Sequence, residues 1–451
     1  MKDGFRCAAV GSLVLLMAAV AHAQSSVPTS GDNIPMLGSG QMPAAVPRDD
    51  AGASNLFLAS ISGGGNFQDN AGYGPGTQQS DINYFVSPTI AFAQTLSRIE
   101  WGASYAPGLY VSQHGLFPDQ LTQTFGGHLT LLATRHSTFS IQQNYILSTN
   151  PFQQFGQQPF STTPGPVVAP NQSIFIPNLH RKANLTQAQY FYQLSEHTTF
   201  GLSGSYGLQH YGTGTISGPA TATAPLFIDS QSITGQGFLS HRFTPRNQLG
   251  VQYNAQVLKF PQGNARTTTH AFQVFDQVRL TPNTSFTLYG GPQYALTLDQ
   301  VELNLLFFIV TLPVKESTWS WSGGGMYSWT GRRAAVVLNY RHGVSDGGAL
   351  FGAVTLDNGS ATVSWKLGPS WNLNAGFTVA NNQLFAVRNS QSELRTYATN
   401  VNLSRRISKN LSMNLFFSRF NQVGTLAGIS TGNHDAVGVS FGYTFSRPIG
   451  R

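Results

Sequence analysis

Apolar and polar residues alternate one by one through long stretches of this chain. Phe286, Leu288, Pro292, Tyr294, Leu296 and Leu298 share one parity, while Ser285, Thr287, Gln293 and Thr297 share the other. Trp371, Leu373, Ala375, Phe377 and Val379 alternate in the same way with Asn372, Asn374, Gly376, Thr378 and Ala380. So do Leu249, Val251, Tyr253 and Ala255 with Gly250, Gln252, Asn254 and Gln256. A period of two puts successive side chains on opposite faces, so each segment predicts a strand with one apolar and one polar face. The segments run for about 12 to 15 residues, whereas a globular strand has about five or six. A lipid bilayer, which takes about 9 to 11 tilted residues, explains the length.

The same unit recurs from about residue 53 to Phe445. Short turns are read at Leu96 to Arg98, Arg135 to Ser137, Ser195 to His197, Thr244 to Asn247, Thr281 to Asn283, Gly331 to Arg333, Gly368 to Ser370 and Ser408 to Asn410. Eight turns join sixteen strands, and one further strand at each end, residues 53–66 and 432–446, brings the total to eighteen. An even number closes an up-and-down barrel with both ends on one rim, short turns on that rim and long connections on the other. The long connections are read at 67–79, 149–178, 212–228 and 299–316, and Gly359 marks a candidate bulge. Sixteen strands is the alternative count if the end segments do not pair. A β-propeller also repeats at about 40 to 50 residues, but each blade needs four short strands where each repeat here holds two long ones.

Composition narrows the class further. The 451 residues include 48 glycines and 23 prolines, with 12% aromatic and only 10% charged residues. A disordered chain would be charged and poor in aromatics, and membrane helices would need apolar runs of about 18 residues. Lys2, Arg6, the apolar stretch Val10 to Val20 and the small-residue site Ala21, His22, Ala23 read as an export signal over 1–23. The Pro/Ser/Gly-rich stretch 24–52 then reads as a flexible periplasmic leader, 53–446 as the barrel and 447–451 as a tail. Cys7 leaves with the signal, so disulfides and thiolate chemistry are not expected. The net charge of +7 is spread without Lys/Arg runs, so no nucleic-acid face is expected.

The last strand presents Val437, Val439, Phe441, Tyr443 and Phe445 on one face. With the signal and the hairpin array, it resembles bacterial outer-membrane β-barrel proteins of the porin-like kind. The resemblance implies an integral outer-membrane location after cleavage near Ala23, in contact with outer-membrane lipid, lipopolysaccharide and the barrel-assembly machinery. It implies a passive diffusion channel for small hydrophilic solutes. Two other functions stay open: an export pore for a surface polysaccharide, and a non-conducting structural or adhesion barrel.

If the apolar parity faces lipid, the inner wall carries Asn, Gln, Ser, Thr and Gly with six charges: Glu100, Arg242, Arg279, Arg341, Lys366 and Arg406. Five are cationic, which in a low-dielectric bore favours anions, unless loop carboxylates pair with them. Phe191, Tyr211, Phe275, Phe416 and Phe420 also have inward parity, suited either to stacking on sugars or to packing of the wall. Trp101, Tyr105, Trp319, Trp321, Tyr327, Trp329, Trp365 and Trp371 have outward parity and suit interfacial belts. Two features break the pattern. Leu303 to Val314 is an apolar run that must fold into the bore, meet a neighbouring copy of the chain or extend the following strand, and Asp276 has lipid-facing parity. No HExxH, GxSxG or Cys/His set is present, and nothing brings His128 and Ser104 together. The chain is therefore read as no enzyme, with no cofactor and no metal.

Overall fold

A computed structural model describes residues 55–69, 80–115, 120–148, 180–212, 229–305, 308–347, 352–385, 393–424 and 432–448, with residue 263 and residues 299–313 described by backbone only. The expected signal, the leader and positions 449–451 of the tail lie outside these residues. The strands are β1 (Leu56–Gln68), β2 (Asp81–Thr95), β3 (Ile99–Ser112), β4 (Gln120–Leu132), β5 (Ser137–Ser148), β6 (Arg181–Gln193), β7 (Thr198–Tyr211), β8 (Ser230–Thr244) and β9 (Asn247–Phe260). They continue as β10 (Ala265–Thr281), β11 (Thr284–Leu305), β12 (Phe308–Thr330), β13 (Ala334–Asp346), β14 (Ala353–Lys366), β15 (Trp371–Leu384), β16 (Glu393–Arg406), β17 (Leu411–Gly424) and β18 (Gly432–Pro448).

Each strand pairs antiparallel with its neighbours in sequence, and β1 pairs with β18 from Leu56↔Pro448 to Gln68↔Ala436, closing the sheet. The molecule is an eighteen-stranded antiparallel up-and-down barrel, and the sixteen-strand alternative falls. All eight expected turns lie on one rim with both ends of the barrel. Their recurring Ser and Thr residues have a local task. The Ser195 hydroxyl accepts from the Thr198 amide at 3.1 Å, Ser408 from Leu411 at 3.1 Å, and Thr134, Thr244 and Thr281 from the amide two residues on. A short side chain that satisfies a turn amide favours the reversal over a continued strand. On the opposite rim, β9 meets β10 through one 3-10 turn, Pro261–Gly263, closed by Asn264 in the left-handed region at φ 49°.

Two expectations need correction. Residues 299–316 are not a loop: β11 and β12 run on as a paired hairpin from Asp299↔Val314 to Leu305↔Phe308. Antiparallel pairing satisfies the backbone of the apolar run without water, so the run extends the strands. Gly359 is not a bulge, since it pairs in register with Tyr340 and Val379. Register shifts occur instead at Arg242/Thr244 and Arg279/Thr281, beside turns.

The joint between β12 and β13 is short. It spans only Gly323–Thr330 against Ala335–His342, and the first half of β12 pairs with β11 alone.

Candidate functional site

The bore is the site that the barrel creates. All six charged residues expected there have inward parity, but the structure does not bring them together at one level. Glu100, Arg242, Arg279, Lys366 and Arg406 lie within two residues of a strand end, exposed at the mouth beside the turns. Arg406 reaches the Pro369 carbonyl at 3.4 Å. The adjoining turns add Arg98, Arg135, Arg246, Arg332, Arg333 and Lys409 against the single acid Glu196. This mouth is therefore strongly cationic. Arg341 lies deeper, where its guanidinium interacts with Tyr289 and Asp346.

Exposure changes sharply along the bore. On β15 and β16, inward Asn372, Asn374, Asn400 and Asn402 near the turns are exposed, whereas inward Ala380, Asn382, Leu394 and Thr396 farther up are buried to 2% or less. Phe420, Gln422, His434 and Ala436 are equally buried on β17 and β18. Along β15 and β16 the bore is therefore an open vestibule on the turn side and packed on the loop side.

The end of β13 forms part of this packing. Beyond His342 it has no partner in β12, and the chain bends into the bore, so the face that lower down meets lipid here meets the inner wall of β7–β11. Both parities of Gly343 to Asp346 are consequently buried. Val344 packs with Leu258, Phe260, Ala295 and Ala353. Asp346 is clasped across the bore: its carboxylate accepts from Gln209 Nε2 at 2.7 Å and from Ser230 Oγ at 2.9 Å. A cavity of about 20 Å³ lies beside Arg341, lined also by Gln256, Gln293 and Ser322.

Below the clasp, inward amides form a chain around the wall. Ser203 donates to Gln236, Gln236 to Gln252 at 3.0 Å, Gln252 to Gln273, and Gln273 to Ser322 Oγ at 2.7 Å. Gln273 reaches Ser322 over Gly291 of β11, which has no side chain to stand in between. Nearer the turns the rings of Phe191, Phe238 and Phe275 form a row with centroids 5.9 and 6.2 Å apart. They belong to alternate strands and lie over Gly201 and Gly250, where an added Cβ would come within 2.2 Å of Phe238 and 2.3 Å of Phe275. Phe275 and Phe420, buried to 1%, pack the wall and offer no face for a sugar to stack on, whereas Phe191, Tyr211, Phe238 and Phe416 are half-buried. Sequence reasoning missed the Asp346 clasp; its only signal was an acid at a strand end between Ser345 and two glycines.

The outside is apolar and uncovered. Ile61, Ile90, Leu121, Leu202, Ile233, Phe272, Leu288 and Phe441 are all exposed, and Trp319 is 72% exposed. An apolar surface that encircles a closed sheet is stable in hydrocarbon and not in water. Trp101 and Trp329 lie near the turn rim and Trp319 and Trp321 toward the other, so the expected belts bracket the band. Asp276 does point outward, but near the turns, where Asn247 Nδ2 donates to it at 3.1 Å. Placement near a rim lowers the cost of a charge on the lipid-facing side.

No family model and no curated protein matches the chain. Solved structures similar to it include OccAB4 of Acinetobacter baumannii, with 10% identity and a TM-score of 0.42, covering 88% of this chain and 100% of that one. OpdQ of Pseudomonas aeruginosa is similar at 12% identity and a TM-score of 0.40, covering 87% and 98%. The ferric-catecholate import receptor Fiu of E. coli K12, in its open form, is similar at 10% identity and a TM-score of 0.45, covering 87% and 82%.

Proposed function

We propose that this protein is a channel of the bacterial outer membrane for small hydrophilic solutes, mildly selective for anions and gated in its loop-side half. The observation that carries the reading is the vestibule: a polar bore opening through a cationic mouth inside a closed, lipid-facing wall. Fixed cations in a low-dielectric tube raise the local anion concentration and exclude cations. A specific observation favours a second reading, a non-conducting barrel: the β13 end is clasped across the bore, and inward residues near it are buried.

Conductance across a planar bilayer in a salt gradient tests the first reading and separates it from the second. Openings with a reversal potential of anion-selective sign are expected, and silence at every voltage would favour the non-conducting barrel. The triple substitution Arg242→Gln, Arg279→Gln, Arg341→Gln should move the reversal potential toward zero. The wild-type preference should itself fade as salt rises past about 0.1 M, where the Debye length is about 10 Å. An unchanged reversal potential in the triple variant would remove these residues from the selectivity mechanism.

Orientation has its own check. With the turns in the periplasm, a cysteine at Lys409 or Arg246 should resist a membrane-impermeant thiol reagent in intact cells, and one at Asn264 on the opposite rim should react. The reverse pattern would invert the barrel.

A further inference from the structure

Around the loop-side edge of the lipid-facing surface, the charged residues fall into two unlike arcs. On β13–β18 each cation has an acid beside it: His342 Nδ1 lies 2.7 Å from Asp357, Arg395 Nε 2.8 Å from Glu393, and Arg419 Nε 3.7 Å from Asp435. On β6–β12 the register aligns Lys259 of β9, Arg266 of β10 and Lys315 of β12 in one outward row, and Lys182 of β6 points outward two residues nearer the loops than Asn184, the β6 residue level with that row; all four cations are exposed. Lys259 stands directly opposite Arg266, and Arg266 and Lys315 flank Leu298 of β11 on either side. No acid forms an ion pair with these four among the described residues; Asp229, just before β8, is engaged by His210 Nδ1 at 2.7 Å. Like charges directly opposite in a sheet destabilise it, so an adjacent counter-anion would stabilise the Lys259–Arg266 pair.

Below the row, apolar side chains on β9 and β11 stand beside Thr268 of β10 and Ser317 of β12. Val257 of β9 and Leu296 of β11 come next toward the membrane centre, followed by the Tyr294–Trp319 ring pair, centroids 5.2 Å apart. Neighbouring strands are about 4.8 Å apart, so Lys259, Arg266 and Lys315 span roughly 15 Å, enough to take a headgroup bearing two phosphates.

We propose that Lys259, Arg266 and Lys315 form a binding site for a membrane lipid whose headgroup presents phosphate monoesters. The cations hold the phosphates, and the chains lie along Val257, Leu296 and Trp319. A soluble anion would use only the upper half of this arrangement, so the site is assigned to the lipid. The proposal requires the barrel to sit in a membrane but is independent of whether it conducts.

The test is native mass spectrometry of the full-length barrel in detergent, titrated with diphosphoryl lipid A and, separately, with phosphatidylcholine. Lipid A should bind in defined stoichiometry and phosphatidylcholine should not. The variant Lys259→Gln/Arg266→Gln should bind roughly thirtyfold more weakly, from about 1 kcal/mol per cation at an anionic interface. The control Arg395→Gln/Arg419→Gln, which removes equal charge from the paired arc, should bind as the wild type does. Equal weakening by the control, or no preference over phosphatidylcholine, would overturn the site. Displacement of lipid A by millimolar inorganic phosphate would assign the cations to a soluble anion and overturn the lipid assignment. Should the double variant fail to fold, Lys315→Gln alone provides the same comparison, with a smaller loss expected.

Discussion

Replacing Asp346 by Ala should open the bore. The carboxylate receives two hydrogen bonds across the lumen, from Gln209 and Ser230, and hydrogen bonds to a charged group contribute about 1.5–3 kcal/mol each. Losing both removes about 3 kcal/mol or more from the closed arrangement, and at about 1.4 kcal/mol per tenfold this is roughly a hundredfold shift in the closed-to-open ratio. The expected result is a large rise in open probability in planar bilayers, with the folded barrel retained because both partners can reach water once β13 swings out. Asp346→Asn keeps an acceptor and should give a smaller rise. Wild-type conductance in the Ala variant would show that the clasp does not hold the bore shut.

The second large effect lies lower in the wall. The three atoms nearest a Cβ at Gly201 all belong to the ring of Phe238, at 2.2 to 3.0 Å, so Gly201→Ala should destabilise the barrel by about 1–3 kcal/mol through overpacking. The check is a double-mutant cycle in urea-driven unfolding from detergent. Gly201→Ala placed on Phe238→Ala should cost almost nothing further, giving a coupling of about the same 1–3 kcal/mol. Additive losses would mean that the glycine is needed for its backbone and not for the ring above it.

The barrel was legible in the chain because lipid and lumen impose opposite chemistries on successive residues. Leu249 to Gln256 and Trp371 to Ala380 show this directly, and the Ser/Thr turns fix where the alternation restarts. The inward parity of Arg242, Arg279 and Arg341 followed from the same rule. Their heights did not follow, since parity says which face a residue occupies and nothing about which level of the bore is wet. The loop-side packing was illegible for a related reason. Val344 and Asp346 have the parity of lipid-facing residues, and only the bend after His342 carries that face into the lumen. The hairpin of β11 and β12 escaped detection because Leu303 to Val314 is apolar on both parities, which erases the period-two signal.

The short joint between β12 and β13 gives the molecule two topologies at once. Near the turns it is a ring, in which widening requires every strand to slide against its neighbours. Toward the loops, among the described residues, it is an open sheet in which the upper part of β12 and the end of β13 do not pair with each other. A ring resists changes of circumference, whereas a slit collar yields at its slit. Deformation of this wall is therefore concentrated at one place on its perimeter, and the other seventeen joints can remain intact while the cross-section changes.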